Sequence, residues 1–270
     1  MQPRLTDPAA LARNRRRADR PALFLFDAAR DDLQDRLELV KRTFTAPAIV
    51  TGQSGVWENA LPGARIVSDT ETLDLGAEAH DLILHSHGLH WASDPVGQLI
   101  QCRRALKPDG FFLASLFGGQ TLHELRAALA QAESEVTGGL SPRIAPMAEI
   151  RDMGALLQRA GFALPVADAF RLTVSYATPL HLMRELRAMG EANALDARLR
   201  RPTRRAVLLR AAEIYVETYG QDDGRIPATF EFIVLTGWAP DASQPQPLRP
   251  GSAKARLADA LNARETPLKD

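Results

Sequence analysis

The sequence has little of several features that would assign it quickly to a class of protein. Its 270 residues contain one cysteine, Cys102, so no disulfide can form within the chain and a reducing compartment is expected. The 33 basic and 33 acidic residues balance, which gives no net field to attract nucleic acid. No apolar run is long enough to span a bilayer, and the N-terminus lacks the pattern of a secretion signal.

What is present is a repeated alternation of apolar runs and helical patterns. Apolar runs at 48–51, 64–67, 80–87 and 111–117 predict strands, and the run at 80–87 is apolar enough to be buried on both faces. Helical periodicity lies at 24–44 and 95–106, and a brief helix is expected at 56–61. Strands that alternate with helices indicate an α/β fold, a parallel Rossmann-like sheet with right-handed crossovers.

The chain divides into three expected regions. Residues 1–45 are expected to form a helical arm, of which the arginine-rich part at 8–20 is expected to be solvated. Residues 46–240 would form the main α/β domain, with a mixed helix and strand insert at about 118–220 that covers the substrate. Residues 241–270 are polar and rich in proline, which predicts a flexible tail.

The turn after the first strand, with Gly52 and Gly55, is the first candidate binding site. Glycines at such a turn let the backbone approach a ligand closely. An S-adenosylmethionine site of the class I type would have an acid before the turn and three glycines in register, whereas this chain has Val50 and only Gly52 in register. Asp69, after the next strand, could accept hydrogen bonds from ribose or adenine. The alternative is that the two glycines form only a structural turn and that Asp69 is a surface residue.

Three histidines follow one another closely at His85, His87 and His90. A metal site is conceivable from this spacing, but no carboxylate is placed to complete a ligand shell, so no metal is predicted. Gly118 and Gly119 end the strand at 111–117, where the next helix could be capped by its own side chains or could receive a substrate group. The loop that follows Gly138 and Gly139 could act as a lid.

Several motifs together resemble one known family, the bacterial relatives of a mitochondrial complex I assembly factor with a class I methyltransferase fold. The matching motifs are Leu89-His90-Trp91 with Asp94, and segments at 106–110, 117–125, 138–146, 156–162, 189–193 and 223–231. The resemblance runs through most of the chain to about residue 240. It implies an S-adenosylmethionine site and a protein substrate in the complex I pathway, and the family's mitochondrial member is linked to arginine hydroxylation.

The resemblance assigns roles to residues of this chain. Cofactor contacts would come from Gly52, Gly55, Asp69, His87 and Leu89. Substrate contacts would come from a second set, which comprises Trp91, Gly118, Gly119, Ser141 and Pro142. His90 is the candidate general base, since imidazole titrates near neutral pH, and a packed structural histidine is the alternative.

The chain departs from the family at the cofactor end. Between the glycine turn and the strand at 80–87 it is shorter by about one strand and one helix. Asp69 therefore matches the family's adenine-side acid, and the strand that carries the ribose-binding acid is expected to be missing. Two lost charge-assisted hydrogen bonds of ~1.5–3 kcal/mol each would lower affinity ~10²–10⁴-fold.

Three functions stay open from the sequence. The first is an S-adenosylmethionine-dependent enzyme that modifies a protein, with a respiratory complex I subunit as the expected partner. The second is a non-catalytic assembly or binding protein that has lost the cofactor. The third is a malonyl carrier-protein O-methyltransferase. A cytoplasmic location is expected, with peripheral attachment at the inner face of the membrane as its variant, and the sequence leaves the oligomeric state open.

Overall fold

A six-stranded sheet forms the centre of the computed structural model, which describes residues 4–245. The strand order is β2-β1-β3-β4-β6-β5, in which the first four strands are parallel and β6 and β5 are antiparallel to their neighbours. The strands are β1 (Pro47–Thr51), β2 (Arg65–Val67), β3 (His80–Ser86), β4 (Leu106–Phe117), β5 (Ala163–Tyr176) and β6 (Ile226–Trp238).

Helices cover both faces of this sheet. One face carries α3 (Pro95–Ala105) and α5 (Ile150–Arg159), and the other carries α2 (Phe24–Leu39), α4 (His123–Thr137), α6 (Pro179–Ala188) and α7 (Arg205–Tyr219). Strand β3 shows why both faces are needed, because Leu82 and Leu84 point into one apolar layer while Ile83 points into the other. The predicted α/β fold with a Rossmann-like sheet is confirmed.

The connection between β1 and β2 differs from the prediction. The expected helix at 56–61 is wrong, since the chain forms only a 3-10 turn at Ser54–Val56 and then further turns. Strand β2 then pairs directly with β1, with Ala48 opposite Arg65 and Val50 opposite Val67. The short connection therefore brings Asp69, two residues after β2, to the carboxyl end of the strand beside β1.

The N-terminal arm is packed, which corrects the expectation of a solvated arm. It contains α1 (Pro8–Arg15), which is capped by the Asp7 side chain through the backbone N–H of Ala10. Ala10 and Leu11 are buried in a small apolar cluster with Trp91 and Ala194. The helix therefore lies on the carboxyl edge of the sheet. Most of the tail predicted over 241–270 lies outside the described residues.

Candidate functional site

Two cavities open at the carboxyl edge of the parallel strands, where α/β proteins bind ligands. The first, called the cleft here, has a volume of about 410 Å³ and lies beside the ends of β1 and β2. The second, called the apolar pocket, has a volume of about 170 Å³ and lies between α4, α6 and the loops at 143–147 and 189–193. Trp91 lines both cavities and is the wall between them.

The cleft contains three of the predicted cofactor residues. Gly52, Gly55 and Asp69 all line it. The backbone at Gly55 is open, with no atom within 4 Å of the place where a Cβ would stand. Asp69 follows the strand next to the glycine strand, which is where a ribose-binding acid stands in dinucleotide-binding folds. This position is the one expected of a ribose-side acid, whereas the resemblance had matched Asp69 to the adenine-side acid.

Arg15 of α1 lies directly on this glycine turn, a contact that sequence reasoning missed. Its Nη1 donates to Asp69 Oδ1 at 2.7 Å, and the two side chains are only 10% and 5% exposed. A Cβ built on Gly52 would come within 2.0 Å of Arg15 Nη1, so the guanidinium fills the space over that glycine. Among residues 4–245, the Nε and Nη2 groups of Arg15 are buried and have no hydrogen-bond partner.

Gln98 and His85 support the loop that carries Asp69. The Gln98 side-chain amide donates to the backbone carbonyls of Asp69 and Thr70, and its oxygen lies 3.0 Å from His85 Nε2. Burial lowers the pKa of His85 to about 4, so the ring is neutral at pH 7 and donates from Nε2 to Gln98. His85 and Gln98 thereby fix the backbone on one side of the cleft.

The histidines predicted from the motif do not face the cavities. The His87 ring is buried among Phe26, Phe117 and Phe232, and burial holds its pKa well below the ordinary value. Its predicted cofactor contact could come only from its backbone, because the side chain points into the core. His90 is also buried and lines neither cavity, which favours the alternative of a packed structural histidine over the predicted general base.

The short helix at Leu89–Trp91 places the last two residues of that motif differently. Leu89 is buried in the apolar layer under α3 and α5, so its side chain supports the turn and does not line the cleft. Trp91 faces both cavities, and its Nε1 donates to Glu191 Oε2 at 2.7 Å. His90 Nε2 lies 3.5 Å from the same oxygen. Trp91 is thus the predicted substrate residue that the geometry places at a cavity.

Glu191 is an acidic residue of the apolar pocket whose role sequence reasoning missed. Its side chain is 8% exposed, and its second oxygen, Oε1, is buried and has no hydrogen-bond partner within the described part of the chain. The surrounding wall is mainly apolar and includes Phe117, Phe230, Leu125, Met147 and Met183. The signal in the sequence was the motif at 189–193, which matched the family but suggested no role.

The other predicted substrate residues hold the walls of the pocket and do not line it. Gly118 packs against Glu231, and its N–H donates to the Glu231 carbonyl. The N–H of Gln120 donates to Glu231 Oε2, so a carboxylate of β6 binds at the start of α4, where a substrate anion had been the alternative. Gly119 packs against the Glu149 side chain, and its N–H donates to the Ala148 carbonyl.

The loop at 141–147 forms one wall of the pocket through its later residues. Ser141 donates from its backbone N–H and its hydroxyl to Glu133, and Arg143 binds the same carboxylate at 2.7 Å. The carbonyl of Pro142 accepts from Asn193 Nδ2. These contacts orient Arg143, which lines the pocket together with Ile144, Ala145 and Met147. Ser141 and Pro142 therefore support the pocket from behind.

Neither a metal site nor a membrane span is found in the described part of the chain. Among residues 4–245, no group of three or more His, Cys, Asp or Glu side chains could hold a metal ion. Within that same range, no helix has the length and apolar character needed to cross a membrane. Cys102 is buried in α3, and burial raises the pKa of its thiol, so it is a packed residue and not a reactive thiolate.

Comparisons with known proteins give the chain a family. Residues 31–114 match the methyltransferase domain family Methyltransf_11. The mitochondrial arginine-hydroxylase NDUFAF5 of Danio rerio is 38% identical over 82% of this chain and 69% of its own length. The NDUFAF5 of Homo sapiens is 37% identical over 82% of this chain but 64% of its own length, so the chain spans only about two thirds of these relatives.

A second group of relatives is more distant. The malonyl-[acyl-carrier protein] O-methyltransferase of Methylovorus is 32% identical over 82% of this chain and 72% of its own length. The NDUFAF5 relatives compared are 37–44% identical to this chain, and the carrier-protein O-methyltransferases compared are 32–37% identical. The chain belongs to the class I methyltransferase-fold family of the arginine-hydroxylase NDUFAF5.

Proposed function

We propose that this protein is an S-adenosylmethionine-dependent methyltransferase-like protein that takes an arginine side chain of a protein substrate into the apolar pocket. The observation that carries the proposal is Glu191 Oε1, a buried carboxylate oxygen without a donor on the wall of an apolar cavity. A buried carboxylate oxygen without a donor is costly, so a ligand that brings a cationic N–H group would stabilise the site.

A guanidinium group fits this pocket better than a compact ammonium group. It is planar and can lie against aromatic faces while it donates two parallel N–H groups to a carboxylate. The pocket offers aromatic side chains from Trp91, Phe117 and Phe230 beside Glu191. Trp91 Nε1 already binds Glu191 Oε2, which holds the carboxylate in place and leaves Oε1 for the ligand. The names of the more similar relatives also refer to arginine.

The cleft fits the nucleoside part of S-adenosylmethionine. Its volume lies within the usual range of ~300–1,000 Å³ for small-molecule sites. Asp69 would accept hydrogen bonds from the ribose hydroxyls, and the open backbone at Gly55 allows close approach. A ligand could contact Asp69 and the Gly52 backbone only if the Arg15 guanidinium moved, because it fills the space over Gly52 and binds Asp69.

The cofactor and the protein divide the chemistry between them. When bound, S-adenosylmethionine supplies an electrophilic methyl group on a sulfonium sulphur. The residues of this chain bind and orient: Glu191 would hold the guanidinium, and Trp91 would fix Glu191. The bulk of the Trp91 ring at the wall would determine how closely the contents of the two cavities approach. A buried apolar pocket also keeps water from the substrate.

The partner is proposed from the family resemblance. It implies a subunit of respiratory complex I, with the target arginine in a segment that can enter a pocket of about 170 Å³. Such a pocket admits one side chain and excludes a folded surface, so the arginine must project from a loop or a terminus. Attachment at the inner face of the membrane would follow from this partner.

Two alternatives each have an observation in their favour. Arg187 also lines the apolar pocket and could attract the carboxylate of a malonyl group, as a malonyl carrier-protein O-methyltransferase would require. Glu191 opposes that substrate, because its buried carboxylate would repel a second one. The non-catalytic alternative is favoured by Arg15, which occupies the corner where the cofactor would bind.

Mass spectrometry of complex I subunits tests the proposed function. A strain that lacks this gene is complemented with the wild-type chain, with Glu191→Gln, or with the control Glu217→Gln, whose side chain is 64% exposed. We expect one arginine to gain a methyl group with the wild type and the control only. An identical modification pattern in all strains, with complex assembly lost in the deletion strain, would support a binding protein without catalytic activity.

A further inference from the structure

The N-terminal helix α1 is fixed over the cleft by contacts on both of its sides. On one side Thr6 Oγ1 donates to the Trp91 carbonyl at 2.6 Å. On the other side Asn14 Nδ2 donates to the Ala192 carbonyl at 2.9 Å, and the N–H of Asp19 donates to the Ala188 carbonyl at 2.7 Å. The helix is therefore attached to the segment at 188–192, which also carries Glu191.

Arg15 connects this helix to the binding surface of the cleft. Its guanidinium makes one charge-assisted hydrogen bond, to Asp69, and covers the Gly52 backbone. These are the same carboxylate and the same close-approach surface that a ribose-bearing ligand would need. A ligand and Arg15 cannot use both at once, so they compete.

The closed arrangement is incompletely satisfied. Arg15 Nε and Nη2 are buried and have no acceptor, although a guanidinium beside a carboxylate can form two parallel bonds. Unpaired buried N–H groups weaken the arrangement that buries them. The contact between Arg15 and Asp69 therefore covers the Gly52 side of the cleft but is weaker than a bidentate pair. A ligand can displace such a contact more easily.

We propose that α1 is a lid and that Arg15 is an internal competitor, which occupies the ribose side of the cleft until a ribose-bearing nucleoside ligand displaces it from Asp69. This inference rests on the proposed function, because it assigns a regulatory contact to the same cofactor cleft.

Calorimetric titration of the full chain with S-adenosylhomocysteine and with adenosine tests the competition. Arg15→Ala should bind both probes at least about tenfold more tightly than the wild type, because one charge-assisted contact no longer has to be broken. Arg13→Ala is the matched control, since it removes an exposed arginine of the same helix that does not line the cleft. Weaker binding by Arg15→Ala would overturn the proposal and make Arg15 a ligand anchor.

Hydrogen exchange without ligand separates the lid from the cofactor function. Arg15→Ala should increase exchange in residues 8–15, whereas Arg15→Lys, which keeps a cation, and Arg13→Ala should change it less. Unchanged exchange in Arg15→Ala would overturn the lid whatever the titrations give. Increased exchange without binding of either probe by any variant would keep the closed contact but reject the cofactor site, and with it the proposed function.

Discussion

The cleft and the apolar pocket share one wall but solve the problem of buried charge in opposite ways. In the cleft, the Asp69 carboxylate forms an ion pair with Arg15 of the same chain. In the apolar pocket, Glu191 keeps one oxygen without a donor. A ligand that binds Asp69 must replace the cation of Arg15. A ligand that binds Glu191 Oε1 can add a hydrogen bond without replacing one. The positions at which this chain departs from the family pattern, such as Val50, lie beside the cleft, and the matching motif at 189–193 lies beside the apolar pocket.

Glu191→Gln should break this comparison with the largest effect. The variant keeps the size of the side chain but removes the charge, so we expect an arginine-containing substrate peptide to bind ~10²-fold more weakly. Binding of S-adenosylhomocysteine in the cleft should stay within about twofold of the wild type. Isothermal titration of both ligands gives the answer, with Glu217→Gln as the control. Equal losses for both ligands would mean that the two cavities are one site.

Trp91→Phe should have the next largest effect. It keeps an aromatic wall but removes the Nε1 donor that holds Glu191, a hydrogen bond to a charged group worth ~1.5–3 kcal/mol. The peptide should bind ~10-fold more weakly. Trp57→Phe is the control, because the Trp57 Nε1 is buried without a partner and its loss removes no hydrogen bond. A larger loss in Trp57→Phe than in Trp91→Phe would refute this role of Trp91.

The pH dependence of stability should report on the wall of the apolar pocket. The Arg143 side chain lowers the pKa of Glu133 from 4.5 to about 2. A lowered folded-state pKa gives stability that is present above the unfolded value and is lost as the pH falls from about 4.5 towards about 2. The free energy of unfolding should therefore fall on the order of 2 kcal/mol more in the wild type than in Glu133→Gln over that window.

Urea unfolding at about pH 5 and about pH 3 measures this difference. The control Glu217→Gln should keep the wild-type slope, because its carboxylate is exposed. If Glu133→Gln shows the same pH dependence as the wild type, the Glu133–Arg143 pair does not contribute to stability in the way that its geometry indicates.

Ser141→Ala should have the smallest effect. It removes a hydroxyl that donates to Glu133 at 2.7 Å, while the backbone N–H of the same residue still binds that carboxylate. We expect a loss of about 0.5–1.5 kcal/mol in the free energy of unfolding, without a change in ligand binding in the cleft. Ser134→Ala, on the exposed face of α4, is the matched control and should not destabilise the protein.

The layers of the fold could be predicted from the sequence because burial determines them. Strand β3 is apolar on both faces and was predicted close to its true bounds, whereas β4 was predicted only over 111–117 and in fact begins at Leu106. The short strand β2 and the turn at Ser54–Val56 depend on how the chain closes against β1. No periodicity in three or four residues specifies that closure.

The key polar contacts could not be predicted for a related reason. Arg15 and Asp69 are separated by 54 residues and meet only because α1 packs on the carboxyl edge of the sheet. Glu191 is one acid among many in the sequence, and its importance comes from the apolar surroundings that the fold provides. His90 and His87 were predicted at the site from the resemblance, yet their rings are buried in the core, because a motif specifies order along the chain and not direction.

The two edge strands of the sheet, β2 and β5, differ in how they avoid pairing with a foreign strand. One edge is β2, which has only three residues and so presents few free backbone groups to another strand. The opposite edge, β5, is much longer, with fourteen residues, and it interrupts its own hydrogen-bonding potential with Pro165 and carries the charged side chains of Asp168 and Arg171. Among the described strands, β5 is therefore the one long edge, and its proline and charged side chains oppose the addition of a foreign strand.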